Sequence, residues 1–305
     1  MHTLLNVVAP IFALIGIGYV SARRRWISEE ALRGMTDFVF HLAMPALLLR
    51  GATTPHPNGG ATAFAFFSGC LTAYALALLL SRLVLRMRLA EGGTFALNAA
   101  FGNTAMIGVP LVLAAYGPTG LSQLLAIIGL HSLILLPLGT VVAEIGHSAH
   151  APLAGILKAT VLSVLRNPIV MAVLLGLVIS RSGLELPSLV GRFLDMTGMA
   201  GPPLALFCLG ASLIAFDARR DWHSALLCTA LKLLLMPALV WLMGWVIGLP
   251  PLPLAVAVVA AGMPTGANAF FLARRYAAGA DRSGATVLLS TVLSLVTLAV
   301  LLAVL

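Results

Sequence analysis

Two stretches of an otherwise apolar chain combine polar side chains with residues that break helices. The first reads LNAAFGNTAMIGVPLVLAAYG (97–117) and the second VVAAGMPTGANAFFLARRY (258–276). Each places Gly, Pro and Asn in the middle of a hydrophobic run. Proline removes a backbone donor and clashes with the turn before it. Glycine weakens a helix by about 1 kcal/mol relative to alanine. Both stretches are therefore predicted to be helices broken near their middle. A break creates a new helix N-terminus, whose unpaired N–H groups and dipole, about +0.5 charge, favour an anion. Asn103, Thr104, Thr265 and Asn268 place neutral donors and acceptors beside the breaks, and Gly108, Pro110, Pro264 and Gly266 shape the backbone there. No Asp or Glu lies near either break, which weighs against a cation site. The competing reading is that Gly and Pro kinks only help helices pack, with the Asn residues bonding across helices.

Ionisable residues inside apolar runs form a second group. A charge in hydrocarbon costs about 2.5–3.5 kcal/mol, so each needs a reason. Lys232 lies roughly ten residues, or about 15 Å, into the run 222–247. It is either a functional charge or a structural tie to a backbone carbonyl at one of the breaks. His131 can exchange a proton near neutral pH, against the blander reading of a satisfied core histidine. Asp37 and His41 sit one turn apart and can pair. These residues are the candidates for charge or proton coupling. Glu144 lies near the end of a run and is expected to be solvated. Cys70, Cys208 and Cys228 show neither metal-ligand spacing nor pairing and read as small core residues. No Gly-rich phosphate loop carries a lysine, so neither a nucleotide nor another cofactor is expected. The histidines are too scattered for an intramembrane enzyme, which needs a paired nucleophile and base.

Composition says what positions these residues. Of 305 residues, 60% are hydrophobic and 9% charged, with mean hydropathy +1.05. Soluble domains carry about 25% charged residues, and disorder needs low hydrophobicity and high charge. Long apolar runs also exclude a β-barrel with its short alternating segments. The sequence therefore predicts an all-α polytopic protein of the lipid bilayer, with ten spans near 4–22, 33–51, 61–85, 94–116, 121–145, 167–181, 195–216, 222–247, 252–276 and 283–305. The run 167–181 is short and is expected to extend backwards, while 151–166 reads as an amphipathic linker helix. The first run lacks a basic leader, so it reads as a span rather than a cleaved signal. With both termini outside, fourteen Lys and Arg residues fall in inside loops and three in outside loops. That bias fits the positive-inside rule, and it accounts for the net charge of +8 without nucleic acid.

The chain also resembles itself at an offset of 158. Pro10, Ile11, Gly18 and Val20 align with Pro168, Ile169, Gly176 and Val178, and Pro45 aligns with Pro203. The reading is a five-helix unit over 1–150, the linker over 151–166, and a second unit over 167–305. An odd number of spans inverts the second unit, an architecture that places binding at the bilayer midplane.

At these residues the chain resembles the auxin efflux carrier family, most closely its bacterial branch of malonate- and malate-type carriers. Asn103-Thr104-Ala105-Met106-Ile107-Gly108-Val109-Pro110 is similar to the NTxxxGxP stretch of plant carriers. Met263-Pro264-Thr265-Gly266 with Ala273 and Tyr276 is similar to their LPxG…A..Y stretch. Pro45, Asn167-Pro168, Leu209-Gly210-Ala211-Ser212-Leu213, and Lys232 with Pro237 support the match. The resemblance implies a 5+5 inverted repeat with crossed broken helices, an elevator-like movement, and a homodimer. It implies that Asn103 contacts a substrate carboxylate and that Pro110 lies at the crossing. One departure is Ala269, where plant carriers often have proline. The expectation is a secondary transporter of the inner membrane that moves a small organic anion, such as malonate or malate. A proton or sodium is the coupling ion. The alternatives are a sodium-coupled symporter of the bile-acid type on the same fold, and an intramembrane receptor.

Overall fold

A computed structural model describes residues 7–53, 59–146, 162, 165–217 and 221–305. Most of the expected linker 151–166, including Lys158, lies outside the described residues. Regular structure among the described residues is helical, apart from one isolated antiparallel bridge. In chain order the helices are α1 (Ala9–Arg23), α2 (Glu29–Ala52), α3 (Gly59–Leu83), α4 (Leu89–Ala100), α5 (104–116) and α6 (118–146). They continue as α7 (Pro168–Ser182), α8 (Ser188–Ala215), α9 (Trp222–Val246), α10 (Pro251–Ala261), α11 (Ala267–Arg275) and α12 (Ala280–Val304). Gly117, with φ 64° and ψ −163°, separates α5 from α6.

Among the described residues, six helical stretches are long and apolar enough to cross a membrane: α2, α3, α5 with α6, α8, α9 and α12. The others are shorter because caps and breaks divide them. Helix α7 does not extend backwards as expected. Asn167 Oδ1 accepts from the N–H groups of Ile169 and Val170 at 3.0 and 3.4 Å, and Pro168 follows at the first helical position. Gly183, left-handed at φ 71°, ends it. Large apolar side chains such as Trp26, Leu83, Trp245 and Val304 point outwards, as a lipid-facing surface requires.

Among the described residues, three complete turns widen to π geometry, and each sits just before a proline. They are Val39–Ala43 before Pro45, Thr104–Gly108 before Pro110, and Leu231–Leu235 before Pro237. The missing proline N–H and the ring's clash with the preceding turn favour such a bulge.

The packing falls into two groups. Helices α1, α2, α7 and α8 pack on one another, and α3, α4, α6, α9, α10 and α12 form the other group. Within the first group, a Cβ on Gly18 would come within 2.0 Å of Phe207 O, and one on Gly176 within 2.8 Å of Leu49 O. Gly18 and Gly176, like Leu49 and Phe207, are separated by the offset of 158 that aligns the chain with itself. The α1–α8 and α7–α2 contacts are thus counterparts. The three cysteines are buried, as expected of core residues.

Candidate functional site

Helix α4 stops at Ala100 and α10 stops at Ala261, and the two chain segments that follow meet. Asn103 N–H donates to Pro264 O at 2.8 Å, and Gly266 N–H donates to Phe101 O at 3.0 Å. Gly102 and Thr265 face each other in this antiparallel bridge. Each break thereby satisfies the freed backbone groups of the other, which a hydrocarbon environment demands. The approach is close enough to need glycine at 266, where a Cβ would lie 2.9 Å from the Phe101 ring.

One face of the crossing opens on a cavity of about 120 Å³. Asn103, Thr104, His131, Ser132, Asn167 and Asn268 supply its polar lining, and among the described residues no Lys, Arg, Asp or Glu contributes to it. Three helices start here: α5 at Thr104, α11 at Ala267 and α7 at Pro168. The first N–H groups of a helix have no partner within it, and its N-terminal dipole end is positive. Asn103 caps α5, its Oδ1 accepting from Met106 N–H at 3.2 Å. Its side chain reaches the cavity although the residue is only 9% exposed. Gly102 N–H donates to His131 Nε2 at 3.4 Å, and the Phe101 ring lies against the imidazole, tilted by 46°, at 4.4 Å between centroids.

The other face is sealed. Lys232 is fully buried in the widened turn of α9, and Nζ donates to Ala261 O at 2.5 Å. The ammonium therefore sits at the C-terminal, negative end of α10. Of the two readings open in the sequence, this geometry carries the tie to a carbonyl at a break. Thr265 turns the same way: its Oγ1 donates to Asn98 O at 2.8 Å, and its N–H donates to Ser290 Oγ at 3.0 Å. Ser283 Oγ donates to Asn98 Oδ1 at 2.7 Å, which joins α12 to α4.

The candidate residues thus separate. Asn103, Thr104, His131, Gly266 and Asn268 line the cavity. Pro264 and Thr265 belong to the crossing itself, and Gly108 and Pro110 lie buried further along α5. Asp37 and His41 lie away from the cavity lining and are both exposed. They do not form the expected side-chain pair. His41 Nδ1 instead donates to the Asp37 backbone carbonyl at 3.0 Å, across the widened turn before Pro45. Glu144 is not simply solvated, since it accepts from Tyr276 Oη at 2.7 Å. Sequence reasoning missed Ser132 and the cavity position of Asn167. The only signal for Asn167 was an amide directly before proline at the start of a run.

Comparison with known proteins fits this arrangement. A family model described as "Membrane transport protein" matches residues 3–302. A protein of Rhizobium meliloti, provisionally named a malonate transporter, is 27% identical over 97% of this chain and 94% of its own length. An uncharacterised transporter of Escherichia coli is 26% identical over 88% of this chain and 86% of its own. Auxin efflux carrier component 8 of Arabidopsis thaliana is 22% identical over 90% of each.

Proposed function

We propose, from the premise that this chain belongs to the auxin efflux carrier family of membrane transport proteins, that it carries a small organic anion, with a dicarboxylate such as malonate the first candidate. The chain is a multi-pass membrane transporter and not an enzyme. One observation carries the reading of the substrate. The N-termini of α5 and α11 open on one cavity lined by neutral donors, Asn103 foremost. Positive dipole ends and free N–H groups favour an anion, and no acidic side chain among the described lining residues repels it. The cavity's modest volume suits a ligand of a few heavy atoms, and the name of the Rhizobium relative points to malonate.

In this reading the substrate sits at the crossing while the group holding both breaks slides against α1, α2, α7 and α8. The counterpart contacts of Gly18 and Gly176 support a 5+5 inverted repeat. The bias of Lys and Arg supports an inner-membrane protein with both termini outside. Labelling a single cysteine placed at Arg86 tests that orientation: it reacts from inside, and reaction from outside in intact cells overturns it.

Uptake of labelled malonate into proteoliposomes tests the function. The expected result is saturable uptake that Asn103→Ala abolishes or greatly weakens in a folded protein. Absence of uptake for malonate, malate and succinate alike, with either proton or sodium gradients, would overturn the proposal.

A further inference from the structure

The cavity holds a donor that the fold does not use. His131 lies on α6, is 2% exposed, and lines the cavity beside Asn103 and Ser132. The Gly102 N–H points at its Nε2. A backbone N–H only donates, so Nε2 must carry the lone pair and Nδ1 the proton. That Nδ1–H has no acceptor among the described residues. The open space beside the ring is the cavity that His131 lines. The imidazole cannot easily turn to find another partner. Phe101 and Phe66 flank it at 4.4 and 5.8 Å between ring centroids.

We propose that His131 is a substrate ligand: Nε2 holds the first break through the Gly102 N–H while Nδ1–H donates to a carboxylate oxygen of the anion in the cavity. The proposal rests on the anion-carrier reading above and assigns this residue a role within it. A nearly buried donor without a partner is costly to leave unpaired, and a carboxylate is an acceptor-only group that completes it. Asn103 and His131 then approach the anion from α5 and α6 respectively, joined through the backbone of Gly102. The same geometry argues against His131 as the coupling proton's carrier, because Gly102 occupies the nitrogen that would have to take the proton. Binding and the integrity of the break are linked in one side chain, so a substitution can separate them.

Two substitutions do so. In His131→Gln the amide oxygen reaches the place of Nε2 and can accept from Gly102, but nothing stands at Nδ1. In His131→Asn the amide nitrogen stands near Nδ1, and the acceptor for Gly102 is lost. Malonate affinity of the purified full-length protein, measured calorimetrically, is expected to fall about 10- to 150-fold in His131→Gln, the loss of one hydrogen bond to a charged group. Thermal stability of that variant stays near wild type. His131→Asn is expected to lose stability and keep more of the affinity. Nitrogen-15 spectra of histidine-labelled wild type, assigned by difference with His131→Gln, give a readout that needs no variant to bind. They should show a protonated Nδ1 and an unprotonated Nε2, with the Nδ1 signal moving on addition of malonate. A wild type that binds malonate alongside a His131→Gln protein that binds it equally well would overturn the role of His131. So would a protonated Nε2. A wild type that binds no small carboxylate would instead overturn the carrier reading, and the role of His131 with it.

Discussion

The first break passes through Phe101, Gly102 and Asn103, whereas the second needs 262–266 to travel from α10 to α11. The first carries its own cap, because Asn103 accepts from Met106 N–H. The second opens α11 at Gly266 with no side-chain cap, and Thr265 within it is used on Asn98 at the sealed face. The far end of the second break is tied by Lys232. Two similar motifs have thus been put to different uses. The first presents an amide and, through Gly102, an imidazole to the cavity. The second presents backbone and, from the first turn of α11, Asn268, and commits Thr265 to holding α4 and α12. The difference teaches that a polar residue beside a helix break is not automatically a ligand, since the crossing also has to be fastened.

One substitution in each break separates their two roles. Asn103→Ala should weaken anion binding about 10- to 150-fold, equivalent to about 1.5–3 kcal/mol for a hydrogen bond to a charged group. Thr265→Val should lower stability by about 1–3 kcal/mol, because the Asn98 carbonyl loses a buried donor. Its binding should stay close to wild type once the protein is folded. Calorimetric titration with malonate, set beside thermal unfolding, checks both. Equal losses of affinity in the two variants would erase the division between the breaks.

Substitutions at Lys232 are expected to have a smaller effect. Lys232→Gln keeps a donor for Ala261 O and removes the charge, while Lys232→Arg keeps the charge and changes the shape. If the ammonium also adds positive potential for the anion, Arg retains more transport than Gln. Gln then weakens a dicarboxylate several-fold more than a monocarboxylate, since a second negative charge loses more. A purely structural tie lowers stability in both variants without regard to substrate charge. Competition assays with malonate and acetate separate the outcomes.

The smallest effect belongs to Asp37→Asn and His41→Gln. Both side chains are exposed and away from the cavity, so each change should alter stability by no more than about 0.5 kcal/mol. Uptake should also be unchanged. Loss of uptake in either would move the coupling site to α2.

Much of this was legible in the residues. Gly, Pro and Asn inside apolar runs marked both breaks, because few other arrangements interrupt a membrane helix so strongly. The repeat offset was carried by Pro and Gly, which recur less cheaply than Leu or Val in such a composition. The direction in which each polar side chain points was not legible. Thr265 and Thr104 looked equivalent, and only the packing of α4 and α12 decides that Thr265 meets Asn98 and Ser290. Those partners are far apart in sequence and resemble the small polar residues that membrane helices tolerate anywhere. The spacing of Asp37 and His41 suggested a pair, and the widened turn before Pro45 redirected the ring to a carbonyl.

The claim on which the rest depends is that helix N-termini and neutral donors at the crossing select an anion. Calorimetric titration of the purified protein with malonate and with malonamide, its neutral counterpart of nearly the same shape, tests this most directly. Saturable malonate binding is expected, with at least a tenfold weaker response to malonamide, a difference of about 1.4 kcal/mol. Equal or tighter binding of malonamide would contradict it.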